Sequence, residues 1–200
     1  MRAAMRLMLV VVLTGCTSYG ATNSPVTDKN TVEVPELVGR WMNINSGNHE
    51  AFGSDSACLV IEPLKPSAYR AILDGCPMRT PEPMLAEFTR LGGELFAVTQ
   101  QEITDTAVDV GGEVLALYSF YRLRTRNDSL FIGDLDADSL RTYLVAHPAE
   151  LPFALLEGNG PDVLLTATSE QLAQFLATHA RDSAFWPSDS APEGWWARVH

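Results

Sequence analysis

The sequence predicts a mainly β (α+β) fold, an antiparallel meander closed into a β-barrel or bent into a strongly curved sheet, with two short C-terminal helices. Three observations predict it. Short runs rich in Val, Ile, Leu and aromatic residues recur between positions 38 and 132, as strands do. The pairs Gly92-Gly93, Gly111-Gly112 and Asn127-Asp128 punctuate them, and such pairs suit tight hairpin turns. Helical periodicity comes only late, at 140–147 and 172–179. The chain has 200 residues, a length that suits one ordinary domain behind a leader. With 46% hydrophobic and 20% charged residues, the composition excludes a disordered, collagen-like or polytopic membrane chain. A formal charge of −11 argues against nucleic acid as partner, because phosphate binding needs clustered Lys and Arg.

At the amino terminus, Arg2 and Arg6 are followed by the apolar run 7–13 and then by small residues. That is a secretory h-region, too short to span a bilayer. Leu13-Thr14-Gly15-Cys16 resembles the bacterial lipobox, in which signal peptidase cuts before a cysteine that carries a diacylglyceryl group. The resemblance implies that residues 1–15 are removed, that Cys16 is lipidated, and that a further acyl chain on the new amino group makes the anchor firm. Thr17 stands where Gram-negative lipoproteins carry their usual inner-membrane retention Asp. The resemblance thus implies the outer membrane, facing the periplasm, if the cell has one.

Residues 17–34 are polar, with Gly, Pro and Asn, and read as a flexible tether of about 23 Å typical span. The expected layout is a signal peptide at 1–15, lipidated Cys and tether at 16–34, a single β-rich domain at 35–187, and a Pro/Ser/Trp tail at 188–200. Within the domain, strand-like runs stand at 38–44, 57–61 and 69–73, then on either side of each turn pair. With Cys16 lipidated, Cys58 and Cys76 can make one pairing. An oxidising periplasm lets them form a disulfide, worth roughly 3 kcal/mol for a loop of about 18 residues. A hairpin centred near Ser67 would set Cys58 opposite Cys76 and Ile61 opposite Leu73. A two-residue turn at Asn127-Asp128 would likewise set Leu123 opposite Ile132.

The C-terminal third repeats itself at a shift of 32 residues: Leu140, Tyr143, Leu144 and His147 fall on Leu172, Phe175, Leu176 and His179. Each set lies at i, i+3, i+4, i+7, one stripe of a helix. Asp136 and Thr168 take the N-cap positions, and Gln171 completes a capping box with Thr168. Pro148 stops the first helix. Between the two units, 152–156 and the Gly158-Asn159-Gly160-Pro161 loop predict a hairpin with Val163-Leu164-Leu165. Gly39-x-Trp41 at the first strand, with a late helix, resembles lipocalin-like barrels. That resemblance implies an up-and-down barrel and an apolar cavity; the helix at 137–147, interrupting the strands, departs from the family's plan.

No catalytic constellation stands out. His147 and His179 end helices, where imidazole meets free carbonyls, and His49 lies in a Gly/Ser/Asn loop without a nucleophile elbow or zinc-protease motif. The alternation Asp134, Asp136, Asp138 lacks the glycine and late glutamate of a calcium loop and reads as helix capping and a solvated turn. No metal ligands, cofactor or catalytic residue are expected. Arg122, Arg124 and Arg126 share one strand face, where they either receive an anionic partner or pair with cross-strand carboxylates. Trp195 and Trp196 either pack on the barrel or form an aromatic contact site, and Trp41 is core. The expected function is a lipid-anchored, non-catalytic binding or interaction module for another envelope component, an envelope protein among the candidates. The alternative is a carrier of a small apolar molecule, against which stand the bulky inward positions Leu59, Ile61, Phe88, Phe96, Val98, Leu123 and Ile132, since small barrels with bulky interiors tend to be filled.

Overall fold

A computed structural model describes residues 18–44, 58–74, 83–100, 109–110, 113–114, 117–156, 162–190 and 194–200. In chain order the elements are β1 (Tyr19–Ala21), a 3-10 turn (Pro35–Leu37), β2 (Gly39–Asn43), β3 (Cys58–Lys65), β4 (Ala68–Asp74), β5 (Pro83–Leu91) and β6 (Glu94–Gln100). The short pair β7 (Asp109–Val110) and β8 (Glu113–Val114) follows, then β9 (Tyr118–Arg126) and β10 (Ser129–Asp134). Next come α1 (Ala137–Ala146), β11 (Phe153–Leu155), β12 (Val163–Leu165), α2 (Ser169–Thr178) and β13 (Trp195–Val199). Among the described residues no helix is long and apolar enough to cross a membrane.

Eight antiparallel strands, in the order β2-β3-β4-β5-β6-β9-β10-β13, form a ring in which β13 returns to pair with β2. Closure leaves this ring no free edge. The closed barrel and the two late helices are those the sequence predicts, and the barrel is consistent with a lipocalin-like form, while α1, set between β10 and β11, departs from that family's plan. At one end the strands turn tightly. Gly92 and Gly93, at φ +59° and +84°, join Leu91 to its partner Glu94, and only glycine adopts two successive positive φ values at little cost. Asn127, at φ +51°, joins β9 to β10 with Leu123 opposite Ile132, the expected register. Val110 pairs with Glu113 on either side of the second glycine pair.

The β3–β4 hairpin departs from expectation by two residues. Ile61 pairs with Ala71, and Cys58 with Asp74, because the chain turns at Pro66-Ser67 (Ser67 φ +63°) after an irregularity between Pro63 and Lys65. A two-residue shift keeps the same side chains inward. Cys58 is buried at the start of β3, with an Arg40 guanidinium nitrogen 3.4 Å from its sulfur. The expected pairing with Cys76 falls outside the described residues, as do Cys16, the signal segment and His49.

The interior divides into two cores. One fills the barrel: Trp41, Leu59, Ile61, Tyr69, Ala71, Ala86, Phe88, Leu95, Ala97, Leu123 and Leu130. The other lies outside it, where α1, α2, β1 and β12 cover Phe96, Val98 and Phe120 of β6 and β9. Phe96 and Val98 therefore point out into the helical layer rather than into the barrel, correcting their expected orientation. β6 is buried on both faces, and Leu140, Leu144 and Leu172 are fully buried against it and its neighbours, each worth about 2 kcal/mol by area. The capping reading holds. The Asp136 side chain accepts from the Ser139 N–H, and Thr168 with Gln171 forms the reciprocal box.

Two boundaries are corrected. The segment expected as a tether is part of the fold: β1 runs parallel to β12, the Ser18 N–H donates to Asp162 at 2.7 Å, and Thr31 bridges to Thr89. Ala21, Val34 and Leu37 bury completely or nearly so, and that burial offsets the entropy of ordering the strap. Nor is the C terminus a tail. β13 is the stave that closes the barrel between β10 and β2.

Candidate functional site

Inward alternation on β3, β4, β5, β6, β9, β10 and β13 surrounds a lumen of about 150 Å³, lined by apolar side chains together with Thr99 and Tyr121. Eight strands give an interior just wide enough for side chains to fill, and here alanines at 71, 86 and 97 leave the gap. One end is sealed. The Leu37 turn is tied to Trp41 by an indole N–H bond to the Leu37 carbonyl (2.9 Å). The Arg198 guanidinium lies 4.3 Å over the Trp41 ring and donates to the Val38 carbonyl. At the other end Leu73, a lumen residue near the end of β4, is 39% exposed.

At that open end lies a larger cleft of about 550 Å³ whose wall mixes polar side chains (Ser18, Asp134, Asp136, Ser183) with Tyr121, Leu135 and Trp186. Tyr121 belongs to both spaces, and it stands opposite Asp134 across β9 and β10. Burial, then the nearby Asp136, pushes the Asp134 carboxyl above its usual range, although the Leu135 backbone N–H opposes the shift. Burial and Asp134 likewise raise the Tyr121 phenol. Tyr19 rises well above its ordinary value for the same two reasons; its hydroxyl donates to the Phe120 carbonyl at 2.9 Å and accepts from the Phe120 N–H at 2.8 Å. The cleft thus sets the Asp134 carboxyl and the Tyr121 phenol beside an apolar well, with Tyr121 common to both.

The arginine stripe is mostly spent internally. Arg122 is 4% exposed, donates to the Ala180 and Pro187 carbonyls at 3.2 and 2.8 Å, and stacks on Trp186. Arg124 joins Glu94 (3.1 Å) and Asp189, while Arg126 alone of the three is exposed. Burial, then the like charge of Arg124, lowers the Arg122 pKa; Arg124, also partly buried, is held above its ordinary value by Asp189 and Glu94. Arg122 therefore cannot belong to an open partner surface as expected. Trp195 packs on Phe131 and bonds the Asp189 carbonyl (2.7 Å), whereas Trp196 lines the lumen. Both tryptophans are built into the barrel.

The two histidines end their helices as expected. The His147 N–H reaches the Tyr143 carbonyl at 2.9 Å, and that of His179 the Phe175 carbonyl at 3.0 Å. The repeat also brings them together around Tyr143, whose ring stacks on His147 at 4.3 Å and meets His179 edge-on at 5.2 Å. Sequence reasoning missed Tyr19, Tyr121 and Arg198 as site-forming residues. The Leu123–Ile132 register does carry a signal for Tyr121, since two residues further on it sets Tyr121 opposite Asp134.

Fold and site together define an eight-stranded antiparallel barrel of lipocalin-like form, sealed at one end and carrying a small apolar well beside a larger cleft at the other. Comparison with protein-family models, with curated proteins and with solved structures finds no match.

Proposed function

We propose that this chain is a lipid-anchored, non-catalytic binding protein of the bacterial cell envelope, whose barrel holds the apolar part of a small ligand while the cleft beside it holds its polar part. The observation that carries the reading is the lumen of about 150 Å³ beside a cleft of about 550 Å³, with Tyr121 common to both. A dry apolar cavity of about 150 Å³ takes a benzene-sized group, whereas whole ligands need roughly 300–1,000 Å³. The well alone suits one ring or a short alkyl end, and the remainder of the molecule must lie in the cleft. Docking of an envelope protein on Arg122, Arg124, Trp195 and Trp196 is the weaker reading, because those side chains are mostly committed inside the fold.

The anchor rests on the resemblance of residues 13–16 to the lipobox. Ser18 lines the cleft and is fixed by Asp162, so a lipid on Cys16 would hold the cleft within about 7 Å of chain from the acyl group. On this reading the ligand is a small amphiphile exchanged with the adjacent leaflet. Two measurements test it. Labelled palmitate enters the wild-type chain and not Cys16→Ser; equal labelling of both removes the anchor. Native mass spectrometry of the purified chain finds a co-purifying amphiphile, or NMR titration with benzene shifts Leu59, Ala71 and Leu123. Absence of both retires the lumen as a binding site.

A further inference from the structure

We propose a second site, independent of the lumen: an oxyanion seat formed by Arg122, Arg124 and Arg181, in which the Asp189 carboxylate is an exchangeable occupant and a phosphoryl group is the ligand. The three guanidinium groups line one hollow of about 230 Å³, in a chain whose net charge is −11. Only two carboxylates are paired with them among the described residues, Glu94 and Asp189. Three cations against two anions leave one positive charge uncompensated.

The fit of Asp189 to its seat is incomplete. Its Oδ2 engages Arg124, but its buried Oδ1 has no hydrogen-bond partner and lies 3.5 Å from an Arg122 nitrogen. The buried Nε of Arg122 has no hydrogen-bond partner either. Two orphaned polar atoms on one pair of side chains are costly, and native structures rarely keep them without a reason. A flat carboxylate on a one-carbon stalk offers two oxygens in one plane. A phosphoryl group offers three in a pyramid, and guanidinium forks suit it well. Arg181 is 70% exposed, pairs with Glu94 at 2.8 Å, and stands ready to supply the third contact. Asp189 lies in an irregular segment whose backbone is held by the Trp195 indole on its carbonyl, so exchange moves its side chain and not its backbone.

The test titrates the full chain with inorganic phosphate against chloride at matched ionic strength, reading the arginine Nε–H resonances by NMR. Phosphate, and not chloride, is expected to shift Arg122 and Arg124, and Asp189→Asn to tighten binding by roughly tenfold. Arg181→Gln, changed at an exposed position, is expected to weaken it several-fold. A parallel arm uses vesicles of phosphatidylglycerol or of phosphatidylcholine alone. Capture by the anionic vesicles without a response to free phosphate assigns the phosphoryl group to a lipid headgroup, and a response to free phosphate assigns it to a soluble ligand. If wild-type resonances move equally with chloride and phosphate, and neither vesicle is captured selectively, the seat is an internal ion-pair network and the proposal fails. That outcome stands whether or not Asp189→Asn folds.

Discussion

Filling the lumen should strengthen the protein while abolishing its uptake of ligand, and Ala71→Leu is the change that separates the two effects. Ala71 is 7% exposed, faces the lumen from the middle of β4, and lies opposite Ile61 and Met84. Leucine adds roughly 80 Å³ of side chain, and cavity filling returns about 24 cal/mol per Å³, so the ceiling is about 2 kcal/mol. The lumen holds about 150 Å³, nearly twice the added volume, so overpacking strain stays small and a net gain of about 1 kcal/mol is expected. For a chain of this length that raises Tm by roughly 2–4 °C. Urea unfolding gives the stability, and benzene titration followed by NMR gives the binding, which should fall more than about tenfold. A variant that loses stability by more than about 1 kcal/mol, or that takes up benzene as the wild type does, would refute the description of the lumen.

Gly92→Ala and Gly93→Ala both place a side chain at positive φ, costing about 1 kcal/mol each. At Gly92 the new Cβ would also overlap the Ala177 carbonyl oxygen and meet Ala180 at 2.8 Å, whereas at Gly93 it meets only the mobile end of Arg181 at 3.1 Å. Chemical denaturation should therefore show Gly92→Ala roughly 2 kcal/mol worse than Gly93→Ala, and equal losses would mean that the turn does not seat the end of α2. Thr168→Ala removes the capping box and should cost about 1 kcal/mol, read in the same assay. Burial raises the Glu94 carboxyl, but hydrogen bonds from Arg124 and Arg181 outweigh it and hold the group below its ordinary 4.5. Its contribution, roughly 1 kcal/mol after solvent screening, is present above pH 4.5 and lost as pH falls through the lowered value. Glu94→Gln should flatten that part of the stability profile. Asp134 has the opposite sign. Its carboxyl is raised above 3.8, so ionisation opposes folding at neutral pH. Asp134→Asn should raise Tm there and have no effect below pH 3.8.

Local chemistry made much of this fold legible. The Gly92-Gly93 and Asn127-Asp128 turns, the Leu123–Ile132 register, and both helices with their caps are written within a few residues of where they act. What escaped was non-local. The parallel pairing of Tyr19–Ala21 with Val163–Leu165 joins residues 144 apart, and no turn chemistry announces it. Alternation on β6 shows two faces but does not say which is the lumen, because Leu95 and Ala97 are buried inside while Phe96 and Val98 are buried outside. The strap at 22–34 escaped because its anchors, Val26, Val32 and Val34, are too sparse to form a period. At the arginine stripe, charge alternation located one face of β9, and only the return of residues 180–189 across that face decided that Arg122 is buried.

The asymmetry of the barrel ties these observations together. Tight turns, the Leu37 plug and the Arg198–Trp41 stack occupy one end, and each restrains strands against separation there. The other end collects the exposed Leu73, the Tyr121–Asp134 pair and the start of β1. A ligand entering at the sealed end would have to break the indole bond and the cation–π stack, and that stack alone is worth roughly 1 kcal/mol or more when desolvated. Entry beside Leu73 breaks neither. The strap strengthens the same bias, because Ser18 is bonded to Asp162 beside the cleft rather than at the end of a long coil. Under the proposed lipidation of Cys16, the open end would face the leaflet and the sealed end the aqueous compartment, so an amphiphile could pass from bilayer to lumen without crossing bulk water.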